Sequence, residues 1–118
     1  MSLRLALCLV FMLAAAGHAN ACTIADIEIK SSTWNREAGW FVISGEIVNH
    51  CTDPIGVQLE LALRDASGQT VSVEHVWPAK TRNIAAGASY AFETQTRGYA
   101  TAKDVRLRIV DVRQWPSR

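Results

Sequence analysis

The sequence is poor in the residues that catalysis and metal binding draw on. After residue 21 it holds two histidines, His50 and His75, and no methionine, because Met1 and Met12 both stand near the start. Without thioethers, a copper-carrier reading has no soft ligands. Gly-x-Ser-x-Gly, His-Glu-x-x-His and glycine-rich phosphate loops are all missing, so hydrolase, zincin and nucleotide-binding readings have no starting motif. A charge excess is missing too. All 11 acidic residues follow residue 21, as do all but Arg4 of the 12 basic ones, and the two signs cancel there. That balance speaks against nucleic acid or an anionic membrane as a partner, since either would need a basic surplus. No stretch after residue 16 approaches the roughly 20 apolar residues of a spanning helix. Sustained helical periodicity, repeats and low-complexity runs are also absent.

What is present begins with a leader. Arg4 supplies a positive start, Leu5 to Ala16 is apolar, and Ala19-Asn20-Ala21 has the small-x-small form that signal peptidase cuts. Cleavage after Ala21 is expected, with residues 22–118 forming a single domain in a secreted, periplasmic chain. Removing 21 of the 118 residues leaves 97, at the small end of what one core holds together unaided. Cys8 leaves with the leader, so Cys22 and Cys51 remain as a pair in a compartment where disulfides persist. Pairing a strand from Ile24 to Ser32 with one from Trp40 to Asn49 across a loop from Thr33 to Gly39 brings Cys22 within one position of Cys51. A disulfide between them is therefore predicted. The competing reading, a lipid-modified Cys22, leaves Cys51 without a partner and lacks the usual lipobox residues at Ala19 and Asn20.

The remaining chain reads as short strands. Phe41, Ile43 and Ile47 share a face with Gly45 and Asn49, and that face is assigned to the core. Val57, Leu59, Leu61 and Leu63 give the cleanest alternation. The turn through His50 to Pro54 marks these two runs as adjacent antiparallel strands. Asp65-Ala66-Ser67-Gly68 is a turn, and the return strand from Thr70 to Val76 is expected to face Val71 and Val73 inward. Ile84 to Gly87 is another turn, before a strand carrying Tyr90 and Phe92. Thr94 to Lys103 reads as a loop. Val105, Leu107 and Ile109 form the last strand, and the shift of alternation at Val110 predicts a bulge. The fold class is all-β: an antiparallel, immunoglobulin-like β-sandwich of six to seven strands.

The central stretch resembles an FxLYD-type domain of secreted and envelope prokaryotic proteins. The resemblance lies in Gly45-Glu46-Ile47-Val48-Asn49, which is similar to that family's Gly-x-Val-x-Asn strand end, in Asp53-Pro54, in Leu61 to Asp65, and in Ala86-Gly87 before Tyr90 and Phe92. Leu63 and Asp65 match the naming motif, whereas Leu61 and Arg64 stand where Phe and Tyr would be. The resemblance implies an extracytoplasmic, non-catalytic module and supplies no active-site residues.

Candidate chemistry is sparse. His50 beside Cys51 raises the thought of a metal ligand pair, against the plainer reading of a solvated histidine next to a disulfide. His75 falls in the Val71–Val73 alternation, as a partly buried strand histidine would. Glu46 and Glu60 on neighbouring strands would make a carboxylate pair, but on an open face without a cleft. Arg106 and Arg108 read as a solvated row. The tryptophans at 34, 40, 77 and 115 are more than the core requires, and Trp34 with Trp40 is the candidate binding surface. The sequence thus points to a non-enzymatic module without cofactor or metal, binding another envelope protein through a strand edge or the Trp34/Trp40 surface. Carbohydrate or peptidoglycan binding through the same tryptophans is the alternative.

Overall fold

The computed structural model describes residues 21–98 and 100–116. The expected leader lies outside the described residues apart from Ala21. A short 3₁₀ turn, Ile24–Asp26, precedes six strands: β1 (Ile27–Glu37), β2 (Trp40–Asn49), β3 (Gly56–Arg64), β4 (Thr70–Val76), β5 (Ser89–Arg97) and β6 (Asp104–Arg113). They form two antiparallel three-stranded sheets, ordered β1-β2-β5 and β4-β3-β6. The chain therefore changes sheet three times, after β2, β4 and β5. Among the described residues no helix is long and apolar enough to cross a membrane.

The core forms where the two central strands oppose each other. Phe41, Ile43 and Ile47 of β2 and Val57, Leu59, Leu61 and Leu63 of β3 are at most 2 % exposed, each worth roughly 1.5–3 kcal/mol of transfer free energy. Gly45 lies in the same inward row because nothing larger fits. A Cβ there would stand 2.9 Å from the Phe92 ring and against the Ser31 carbonyl.

Several sequence expectations fail, each for a local reason. The loop placed at Thr33 to Gly39 is strand as far as Glu37, closed by the two-residue turn Ala38-Gly39 with φ of 50° and 85°. Positive φ at both positions is what the tight hairpin turn requires. From Ser31 onward β1 is exposed on both faces, so it carries no apolar alternation to betray it. β2 and β3 are not neighbours in one sheet, because the His50–Pro54 turn carries the chain from one layer to the other. The inward assignment of Val71 and Val73 is reversed. They are 38 % and 52 % exposed, and it is Ser72, Glu74 and Val76 that pair with the inward Leu63, Leu61 and Leu59. Glu74 reaches across the sandwich to accept a hydrogen bond from the buried Thr96 hydroxyl of β5. β5 itself runs on to Arg97 through Thr94 and Thr96, which face inward without being apolar. The bulge at Val110 is present: β6 slips register there against Gln58 and Leu59.

Candidate binding surface

One node fixes the sheet-to-sheet crossing. Asn49 is fully buried; its amide Nδ2 donates to the carbonyls of Asp53 and Ile84, each at 2.9 Å, and its Oδ1 accepts the Cys51 N–H at 2.8 Å. Its backbone N–H and C=O bond Ala88 and Gly87. A single side chain thus ties the β2–β3 crossing to the loop before β5.

The Cys22–Cys51 disulfide is present, with a Cα–Cα distance of 5.8 Å. The register behind its prediction is different, however. β1 pairs Ile27 with Asn49 and Ile29 with Ile47, then passes a bulge at Lys30, so simple extrapolation would carry Cys22 to Pro54. The 3₁₀ turn absorbs the difference. Thr23 caps that turn by accepting the Ala25 N–H, while Asp26 accepts the Thr23 N–H. Cys22, Cys51 and Asp53 hold their ligand-type atoms within 4.8 Å of one another, but the two sulfurs are bonded to each other and offer no thiolates. Beside them opens a cleft of about 220 Å³ lined by Cys22, Asp53, Ile55, Val112 and Arg113.

The tryptophans separate. Trp34 lies in β1, not in a loop, opposite Ile43, while Trp40 pairs with Glu37 and Arg97. Strand alternation therefore puts them on opposite faces of one sheet, and the joint Trp34/Trp40 patch does not form. Trp34 belongs to the inward row, packs edge-on to Phe41 with ring centroids 5.2 Å apart, and remains 39 % exposed. Trp40 is half-buried on the outward face, its ring covered by the Arg97 guanidinium at 4.6 Å. Trp77 and Trp115 meet edge to face at 5.4 Å. Asn83 holds the Trp115 backbone with two reciprocal 2.9 Å hydrogen bonds, and the Trp115 ring rests on Gly56.

The polar residues resolve into surface pairs. His50 Nε2 lies 2.7 Å from Glu28, and His75 is a half-exposed strand histidine on the outward face, its Nε2 3.1 Å from Glu60. Arg108 donates to Glu60 at 2.9 Å. That hydrogen bond first, and the one from His75 second, hold the Glu60 carboxyl below its ordinary range. Glu46 and Glu60 belong to the outward faces of different sheets, so they form no catalytic pair.

Reading the sequence alone missed the side of the sandwich where β1 overlies β6. β5 covers β4 through the Thr96–Glu74 bond, and on the opposite side Arg36 of β1 donates to the carbonyl of Ala102, two residues before β6, at 2.7 Å. There the inward row of β6 is incompletely covered: Val105 is buried, but Leu107 and Ile109 are only partly so. The signal available was the apolar alternation of Val105, Leu107 and Ile109 in β6, an inward row that β1 overlies only in part.

No family model and no curated protein matches the chain. Among solved structures, a crystal structure of a DUF1425 family member from Shewanella sp. pv-4 is similar, with a TM-score of 0.53 and 18 % identity over 72 % of this chain and 77 % of that one. At that identity the likeness bears on the fold, a small all-β sandwich of two packed sheets.

Proposed function

We propose that the protein is a secreted, periplasmic, non-enzymatic module that binds another envelope protein on the β1–β6 side of the sandwich. The observation that carries this reading is Trp34, an inward-row aromatic left 39 % exposed. A large aromatic on the open margin of a core is the kind of anchor a protein partner buries. The ion pairs support a non-catalytic role, since His50–Glu28, Arg64–Asp104, His75–Glu60 and Arg108–Glu60 all lie away from the cleft beside the disulfide. The engagement of the Cys22 sulfur in a disulfide supports an unlipidated chain, because one sulfur cannot also carry a thioether-linked lipid. Kinship with FxLYD-type domains belongs to the same proposal. Its support is the work done by the shared positions, with Gly45 giving room to Phe92 and Asn49 tying the crossing. Carbohydrate binding is the weaker reading, because the two tryptophans make no common platform and Arg97 covers Trp40.

The test is capture from an envelope extract by the oxidised protein, run beside Trp34→Ala and Trp40→Ala. The expected result is one stoichiometric protein retained by the native chain and by Trp40→Ala but lost with Trp34→Ala. Retention on insoluble cell-wall polymer, with no protein captured, would overturn the proposal in favour of the carbohydrate reading.

A further inference from the structure

Each sheet has two edges, and the four are built differently. β1 is interrupted by the bulge at Lys30. β4 is seven residues long and turns Glu74 inward. β5 places Thr94 and Thr96 in its inward row, opposite Ile43 and Phe41. The bulge, the short length and the inward charge are features by which edge strands avoid pairing with other chains, whereas the threonines of β5 leave the outer half of its inward row without apolar side chains for an added strand to cover. From Asp104 to Ile109, β6 has none of them: its register against β3 is unbroken and its inward residues Val105, Leu107 and Ile109 are all apolar. Leu107 and Ile109 remain incompletely buried. A further strand hydrogen-bonded to β6 would extend the β4-β3-β6 sheet and close this gap.

The outward row of the same segment says what that strand should carry. Arg106 and Arg108 stand opposite Ala62 and Glu60 of β3. Glu60 engages Arg108, and no acidic residue among the described ones pairs with Arg106. Residues directly across from these arginines on an added strand would have Cβ atoms about 4.5–5.5 Å away, where opposite charge is favoured and like charge disfavoured. A second copy of β6 meets this condition badly. Centring the antiparallel pairing on Leu107 sets Arg106 against Arg108 twice, and centring on Arg108 sets that arginine against itself. Centring on Arg106 sets Arg106 against itself and brings each Arg108 opposite an Asp104 that Arg64 already engages.

We propose that the edge of β6 over residues 104–109 accepts an extended strand from a partner protein, in which apolar residues alternate with acidic ones. The apolar residues cover Leu107 and Ile109, the acidic ones meet Arg106 and Arg108, and main-chain hydrogen bonds along the edge supply the remaining affinity. This inference rests on the interaction-module reading and names the partner's chemistry.

The probes are two end-capped heptapeptides, Glu-Val-Glu-Leu-Glu-Val-Glu and the same peptide with Lys at every Glu. Each is titrated into isotope-labelled oxidised protein while amide exchange is followed. The expected result is slowed exchange confined to amides of residues 104–110, with the acidic peptide bound about tenfold more tightly than the basic one. Arg106→Glu lies on the exposed outward face opposite Ala62, so it spares the core; it should reduce that preference roughly fivefold or reverse it, at unchanged Tm. Equal affinity for both peptides, or no slowing at 104–110 with either, would overturn the inference. So would concentration-dependent self-association that protects the same amides, which would identify a second copy as the occupant. Trp34-dependent capture of an envelope protein without slowing at β6 would sink strand addition and leave the module reading standing. Peptide binding at β6 with no envelope protein captured would count against the module reading instead.

Discussion

Replacing Asn49 by Ala tests how much of the fold depends on a single buried amide. The side chain is wholly inside, and the change removes three short hydrogen bonds, to the carbonyls of Asp53 and Ile84 and from the Cys51 N–H. The Ile84 carbonyl keeps the Ile55 N–H, while the Asp53 carbonyl and the Cys51 N–H lose the partner that Asn49 supplies. Taking about 1 kcal/mol per lost hydrogen bond gives a loss of roughly 3 kcal/mol. For a domain of this size, 1 kcal/mol corresponds to about 4–8 °C, so Tm should fall by roughly 12–24 °C. Thermal unfolding followed by circular dichroism on the oxidised protein measures this directly. Asn49→Asp is the sharper variant: it keeps the size and the acceptor for Cys51 but turns an anionic oxygen toward two carbonyls. It should be at least as damaging at neutral pH and should recover on acidification, when the carboxyl protonates and regains one donor. A Tm within about 4 °C of native for Asn49→Ala would refute the reasoning, because the crossing would then be held by its disulfide and packing alone.

Other outcomes follow from the same structure. Gly56→Ala places a methyl against the Trp115 indole, whose Cδ1 would lie 2.7 Å away. It should unseat the ring and shift its emission to longer wavelength, and an unchanged spectrum would show the ring is not seated there. Replacing Cys22 and Cys51 together by Ser should cost roughly 3.5 kcal/mol in the loop-entropy picture, read from urea unfolding with unchanged slope. A loss below about 1 kcal/mol would mean that the 3₁₀ turn and Asn49 already restrict the unfolded loop. Because Arg108 and His75 hold the folded Glu60 carboxyl below the ordinary glutamate range, its contribution is present above that range and is lost as pH falls through the depressed pKa. Glu60→Gln should therefore flatten the acid limb of the stability curve, and parallel curves for the two proteins would contradict the ion-pair geometry.

The sequence made the fold class legible through Phe41, Ile43 and Ile47 and through Val57 to Leu63, since a buried central strand must alternate. It made the disulfide legible because two cysteines after residue 21 leave one pairing. Edges were harder to read, for a physical reason. The outer half of β1 is exposed on both sides, and β4 turns inward only the partly buried Ser72 and Val76 and the Thr96-bonded Glu74, so burial dictates little of their pattern. Val71 and Val73 can face water while Glu74 faces in. Sheet membership was hidden as well: whether the chain folds back beside itself or crosses to the other layer at His50 to Pro54 is decided by where Asn49 sends its hydrogen bonds, and two of those partners, Ile84 and Ala85, lie 35 and 36 residues downstream. Trp34 and Trp40 could be placed on one face or on opposite faces only once the hairpin turn was fixed at Ala38-Gly39.

The disulfide also decides how the molecule would carry tension. β1, β2 and the turn between them lie wholly within the 29-residue separation that Cys22–Cys51 encloses. A pull applied at the start of the domain and resisted at its end passes from Cys22 straight into Cys51, at the junction of the two sheets. The first hairpin is shielded from load, and its roughly 100 Å of contour stays unavailable until the bond is reduced. Under such a pull, the β1 half of the margin that exposes Trp34 would keep its shape while later strands were already peeling.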